Sequence, residues 1–227
     1  MGLVDDWVIY RDNTEMTALI HLGSGIIAGT GTLELRELTT GAWNQIHLIR
    51  ATSPSAFVSG RCRWLTARSG GSLGDVWGFQ FCQSQADLTG GSGLSYLATL
   101  HQPGATRNVR LYRCSAGLNT KTLLVDAPAF TMPDGDIVAM EVQWLLDVQN
   151  LGGMHIRIRN SDPYDTLPVG WTWEEILINT PVSYLDLSGY LTSSVGEGPV
   201  FISAGIAGRY YFDTMECIPY LVGAITN

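Results

Sequence analysis

Acid–base chemistry on a sugar requires two carboxyl groups, about 5–5.5 Å apart for a retaining glycosidase. On a strand such a pair would sit two residues apart and share a face. Glu141 stands alone in Ala139-Met140-Glu141-Val142-Gln143-Trp144. Glu174 and Glu175 are adjacent, which in a strand points them to opposite faces. His21, His47, His101 and His155 share no spacing, so no Ser-His-Asp or Cys-His constellation can be read. Gly23-Ser24-Gly25 and Gly29-Thr30-Gly31 lack the lysine and helix that follow a phosphate loop. No catalytic residue and no cofactor is expected.

Cys62, Cys82, Cys114 and Cys217 form no Cys-x-x-Cys and no Cys/His cluster, so no zinc site is expected. Each lies in a strand-like run. The expectation is four reduced thiols acting as small, semi-buried hydrophobes. Among the aromatics, Trp64, Trp77 and Trp144 fall in alternating runs and belong in a core. Trp43 and Tyr96 are also available to a ligand. Trp171-Thr172-Trp173 lies beside Pro168 and Gly170, outside a clear strand. Trp171 and Trp173 are therefore the candidate binding residues, for a glycan or for a neighbouring subunit.

The elements that would position these residues are strands. Period-two alternation marks 33–38, 57–65 and 76–82, with Trp77, Phe79 and Phe81 on one face of the last. In the second of these runs Cys62 and Trp64 share one face, and Arg61 and Arg63 the other. Ser69-Gly70-Gly71-Ser72-Leu73-Gly74 reads as a hairpin connection. Further strands are expected at 94–101, 109–114, 121–125, 136–144, 154–159, 174–179, 200–204 and 209–218. Residues 184–190 suit one short helical turn. No linker or repeat divides the chain, so one two-sheet antiparallel sandwich spanning 1–227, with its core at about 7–219, is expected.

Composition narrows the functional classes. Of 227 residues, 45% are apolar and 15% charged, against about 25% charged in an ordinary soluble domain. The net charge of −8 opposes non-specific nucleic-acid binding, which needs clustered Lys and Arg. Residues 1–113 hold nine arginines against eight acids; residues 114–227 hold three arginines and one lysine against thirteen acids. Lys121 is the only lysine. Lysine commonly guards exposed strand edges, whereas arginine favours paired, partly desolvated contacts. A β-rich chain so poor in lysine is expected to cover much of its surface with partner subunits; an arginine-rich genome would give the same bias without function. The acidic start Met-Gly-Leu-Val-Asp-Asp lacks a basic n-region, so no signal peptide is expected, and no apolar run reaches the ~18–20 residues of a membrane helix.

From Trp7 to Pro219 the order of features resembles the concanavalin A-like lectin/glucanase jelly roll in its laminin G-like form. The resemblance rests on Gly31-Thr32-Leu33-Glu34-Leu35, on Val76-Trp77-Gly78-Phe79-Gln80-Phe81, and on the approach Gly205-Ile206-Ala207-Gly208 to Tyr211-Phe212-Asp213-Thr214-Met215-Glu216-Cys217. It implies an all-β, two-sheet antiparallel jelly roll, a fold that hosts sugar binders, glycosidases and structural modules. The glucanase branch carries Glu-x-Asp-x-Glu or Glu-x-Asp-x-x-Glu on one strand, which is missing here. Laminin G-like relatives imply that Asp213 helps hold a calcium with backbone carbonyls of the N-terminal region, where Asp5, Asp6 and Asp12 lie, and of these only Asp213 is nominated; a hydrogen-bonding role for Asp213 is the favoured expectation. By elimination, the expected function is a non-enzymatic structural protein of a bacteriophage virion, as capsid decoration or tail component, made in the host cytoplasm. It would act as a homo-oligomer and with other virion proteins. The alternative is a carbohydrate-binding module.

Overall fold

The computed structural model describes residues 7–11, 16–22, 31–38, 44–50, 59–71, 73–84, 93–102, 106–147, 153–188, 196–205 and 207–220. They form fourteen strands and one short helix. The strands are β1 (Trp7–Arg11), β2 (Met16–Leu22), β3 (Gly31–Glu37), β4 (Asn44–Arg50), β5 (Gly60–Gly70), β6 (Val76–Phe81) and β7 (Ser95–His101). Then follow β8 (Asn108–Ser115), β9 (Thr120–Asp126), β10 (Val138–Asp147), β11 (Gly153–Asn160), α1 (Trp173–Ile176), β12 (Val182–Asp186), β13 (Gly198–Ser203) and β14 (Gly208–Pro219).

Two antiparallel sheets of seven strands face each other. The first has the order β1-β4-β13-β6-β7-β8-β9, the second β12-β11-β10-β5-β14-β3-β2. Alternation supplies the core. Trp77, Phe79 and Phe81 of β6 point inward with Tyr96, Ala98 and Leu100 of β7. They meet Cys62 and Trp64 of β5 and Val138, Met140, Val142 and Trp144 of β10. Trp64 stacks on Phe79 at 5.1 Å between ring centres, and Phe81 meets Trp144 at 4.8 Å. Trp77 and Phe201 both press on Tyr210, at 4.7 and 4.2 Å. Aromatic pairs of this kind contribute beyond their buried area, so the two sheets are fastened along a line of rings.

Four expectations are corrected. The glycine-rich stretch after β5 is no hairpin, because β5 and β6 belong to different sheets and the chain crosses between them. Glycine signals a turn but not the sheet that the next strand joins. At Gly71 (φ +97°) a Cβ would lie 2.6 Å from the buried Asp75 carboxylate and closer still to the Tyr210 hydroxyl, so only glycine fits. The strand expected at 174–179 is replaced by α1, which Thr172-x-x-Glu175 starts as a capping box: the Thr172 N–H and hydroxyl donate to Glu175 Oε2 at 2.8 and 2.9 Å. The turn of helix expected at 184–190 is strand over its first part, since β12 pairs along β11, where tertiary pairing overrides a short apolar spacing; 189 and 190 lie outside the described residues.

The fourth correction concerns the thiols. Cys62 and Cys217 form a disulfide between β5 and β14, while Cys82 and Cys114 are free and buried. Strict alternation from the inward Phe212 would turn Cys217 outward, away from the inward Cys62. A bulge between Asp213 and Glu216, with Thr214 in the left-handed region (φ 47°), absorbs one residue. Beyond it Met215 and Cys217 pack toward the core, and Cys217 stands opposite Cys62.

Candidate functional site

On the outer face of the second sheet, pairing between strands aligns Arg159 of β11, Glu141 of β10, Arg63 of β5 and Glu216 of β14 in one row of alternating charge. Glu141 is buried, and both its oxygens are engaged. Arg63 Nε donates to Oε2 at 2.5 Å; Arg159 Nε and Gln143 Nε2 donate to Oε1 at 2.7 and 3.2 Å. Arg63 also donates to Glu174 of α1 at 2.8 Å, and Arg159 to the Leu177 carbonyl at 2.9 Å. The row therefore straps the helix and its flanking loop to the sheet. Burial pushes the Glu141 carboxyl up, but the bonds from Arg159 and Arg63 outweigh it and hold the group below its ordinary value. The bond from Arg63 also holds Glu174 low. A glycosidase acid needs the opposite shift, a carboxyl kept protonated.

Trp171 and Trp173 sit on this strap. Both are half-buried, in edge-to-face contact at 5.1 Å, and they pack on a second apolar cluster that includes Leu65, Ala139, Ile176 and Tyr211. The Arg63 guanidinium lies 5.9 Å from the Trp173 ring centre. The large aliphatic side chains exposed beside the pair are Val169 and Ile178. Sequence reasoning found the aromatic pair but not the ionic row beneath it. The signal was present in the outward positions Arg61/Arg63 and Arg157/Arg159, yet only the register brings Glu141 between them.

The outer face of the first sheet differs. Val76, Leu97, Tyr112, Cys114, Leu118, Val200 and Ile202 form a closed apolar cluster there, alternating along the strands with the core residues. Burial pushes the Cys114 thiol up to about 12, so it is inert at neutral pH. Toward the β9 edge a polar group opens. Arg110 donates to both oxygens of Asp126 at 2.8 and 3.0 Å, to the Tyr112 hydroxyl at 3.3 Å, and to the His101 ring nitrogen. Asn108 Nδ2 donates to Asp126 at 2.9 Å. Burial first, and then Arg110, lower His101 to about 4, so its ring is neutral and its Nδ1 accepts a hydrogen bond from the guanidinium.

Asp213 is used within the fold. Thr32 Oγ1 donates to its Oδ2 at 2.8 Å, and the Thr214 N–H and hydroxyl donate to Oδ1 at 2.6 and 3.1 Å. No metal-sized group of His, Cys, Asp and Glu gathers among the described residues, and Asp5, Asp6, Asp12 and Trp43 lie outside them. The histidines are scattered: His21 meets Glu34 at 2.8 Å, buried His47 stacks on Tyr10, and His155 is exposed.

No family model and no curated sequence matches the chain. Solved structures do. Cellulose induced protein Cip1 superposes with a TM-score of 0.54 at 12% identity, over 94% of this chain and 91% of that one. The PL-14 alginate lyase of Aplysia kurodai gives 0.52 at 9%, over 93% and 90%. A Bacillus subtilis protein with a galectin-like fold gives 0.51 at 11%, over 96% and 92%. The fold is a concanavalin A-like jelly roll. At these identities the likeness carries the architecture alone, and one architecture hosts unrelated functions.

Proposed function

We propose that this jelly roll is a non-catalytic structural subunit acting through protein–protein contacts, in a bacteriophage particle as capsid decoration or tail component. One observation carries the reading. Every edge strand of both sheets exposes a large aliphatic side chain: Val8 and Ile9 on β1, Leu19 on β2, Leu123 on β9, Leu185 on β12. Single exposed aliphatics are ordinary, but an unguarded edge is a template for association. Lys121 on β9 is the one lysine available as a guard. A particle of repeating copies would cover several such edges at once. The low carboxyl shifts of Glu141 and Glu174 support the non-catalytic part. The test is native mass spectrometry of the purified chain and of the double variant Ile9→Lys, Leu185→Lys. The expected result is an oligomer that the variant dissociates; a monomer at high concentration overturns the reading.

A second reading, a glycan-binding module, is favoured by the polar group His101, Asn108, Arg110 and Asp126 at the β9 edge, beside the likeness to a structure described as having a galectin-like fold. Planar side chains already held by one another present donors and acceptors at little entropic cost, which suits sugar hydroxyls. Glycan-array binding that Asn108→Ala abolishes would favour it over the structural reading.

A further inference from the structure

On the outer face of the second sheet, in the row next to that of Glu141, strand pairing aligns Arg157 of β11, Gln143 of β10 and Arg61 of β5, with Ser183 of β12 and Ile218 of β14 at the ends. All five alternate with residues packed in the core, so they share the solvent face. Unlike the neighbouring row, this one contains no carboxylate. Adjacent strands lie about 4.8 Å apart, so the two arginines rise from Cα atoms roughly 10 Å apart, on either side of Gln143. Arg157 is exposed and has no hydrogen-bond or ion-pair partner among the described residues. The Arg61 side chain is 22% exposed; it reaches Glu216 at 3.7 Å, beyond a hydrogen bond, and makes no hydrogen bond among the described residues. Gln143 Nε2 spends one N–H on Glu141 and keeps its second. Glu141 is itself offset by Arg63 and Arg159. Tyr220, whose N–H donates to the Ser59 carbonyl at 2.9 Å, follows Ile218 by two residues and so alternates to the same face, within electrostatic reach of Arg61 and Arg157.

We infer that this row binds a tetrahedral oxyanion, a sulfate or phosphate group. The two guanidiniums bring donors from opposite sides, and the spare Gln143 N–H brings one from the sheet beneath. A tetrahedral group turns oxygens toward all three, whereas a planar carboxylate has two oxygens and leaves one side unmet. A neutral hydroxyl neutralises neither arginine. Arginine stays charged at every physiological pH and matches such oxygens in pairs. The chain carries a net charge of −8, which repels an anion at a distance, so affinity comes from these local donors. Glu216 competes for Arg61 and weakens the site without closing it. The inference does not rest on the assembly reading, since a monomer that binds sulfate satisfies it.

The experiment is isothermal titration of the full chain, at fixed ionic strength, with inorganic sulfate, inorganic phosphate, acetate, glucose 6-sulfate and glucose, with melting temperature as a folding control. Sulfate and phosphate are expected to bind at least tenfold more tightly than acetate, and glucose 6-sulfate at least tenfold more tightly than glucose. Tighter binding of glucose 6-sulfate than of sulfate assigns the site to an ester group; equal or weaker binding assigns it to the free ion. Arg157→Ala, a change at an exposed side chain without a partner among the described residues, should weaken sulfate binding at least tenfold. Glu216→Gln should strengthen it about threefold, the scale of one exposed ion pair. Acetate bound as tightly as sulfate, no binding of either oxyanion, a folded Arg157→Ala that binds sulfate unchanged, or a Glu216→Gln that binds it more weakly would each overturn the inference.

Discussion

At Glu141 two arginines and a glutamine converge on one carboxylate. Removing one partner of a buried pair costs about 3–5 kcal/mol, because the other charge is left uncompensated. Arg63→Met should therefore lower stability by about that amount in chemical denaturation, more than an exposed ion pair would. In the core, Phe79 is fully buried against Trp64. Phe79→Ala should cost about 3–5 kcal/mol through lost transfer energy and a cavity, measured by the same denaturation. His101 provides the pH test. Its folded value, about 4, lies below its ordinary 6.5, so between these pH values the unfolded chain binds more protons than the folded one. Stability is full above about pH 6.5 and falls as pH drops toward 4. The groups around it are Arg110, Asp126 and Lys121, and Asp126 is itself held low by Arg110, extending the loss in the same direction below that window. His101→Gln should flatten the dependence of melting temperature on pH between 4 and 6.5.

Among the elements, β6, β10 and β11 were legible because each alternates cleanly with bulky residues on one face. β2 and β4 were not. Met16, Ala18, Leu19 and Ile20 place apolar groups on both faces of β2, and β4 buries Gln45 and His47 on its outer side. Period-two reasoning presumes one polar face, and neither strand has one. The candidate aromatics were legible as a pair, but their burial was not, since it depends on α1 docking through Glu174 and Arg63. The disulfide was hidden by the bulge, which no local residue pattern announces. Alkylation of the denatured, unreduced chain should label Cys82 and Cys114 alone, and reduction should expose all four thiols. Deletion of Thr214 should restore strict alternation while keeping Cys217 inward and opposite Cys62, so the disulfide should persist and only Cys82 and Cys114 should be labelled without reduction.

For the whole molecule, the charge imbalance along the sequence does not become two oppositely charged sheets. β9 and β13 from the acidic half enter the first sheet, and β10, β11, β12 and β14 enter the second beside β5, β3 and β2. Arg63 of the first half is thus set between two acids of the second, Glu141 and Glu216, in the row Arg159–Glu141–Arg63–Glu216. Contacts between copies should then rest on apolar edges and the loop at 168–173. Trp171→Ala with Trp173→Ala should reduce oligomer mass in sedimentation without unfolding the sandwich; unchanged mass would remove the loop from the interface. A specific contact there needs to bury at least about 1,000 Å².

The extra residue in β14 has an outcome visible in tolerance to substitution. Tyr210 and Phe212 face the core on one side of the bulge, Met215 and Cys217 on the other, so the even-numbered positions of this strand give way to odd ones halfway along. In a saturation scan selecting for folded protein, polar replacements should be rejected at 210 and 212 and again at 215 and 217. An unbroken every-second-residue profile from 209 to 218 would mean that the strand runs in a single phase.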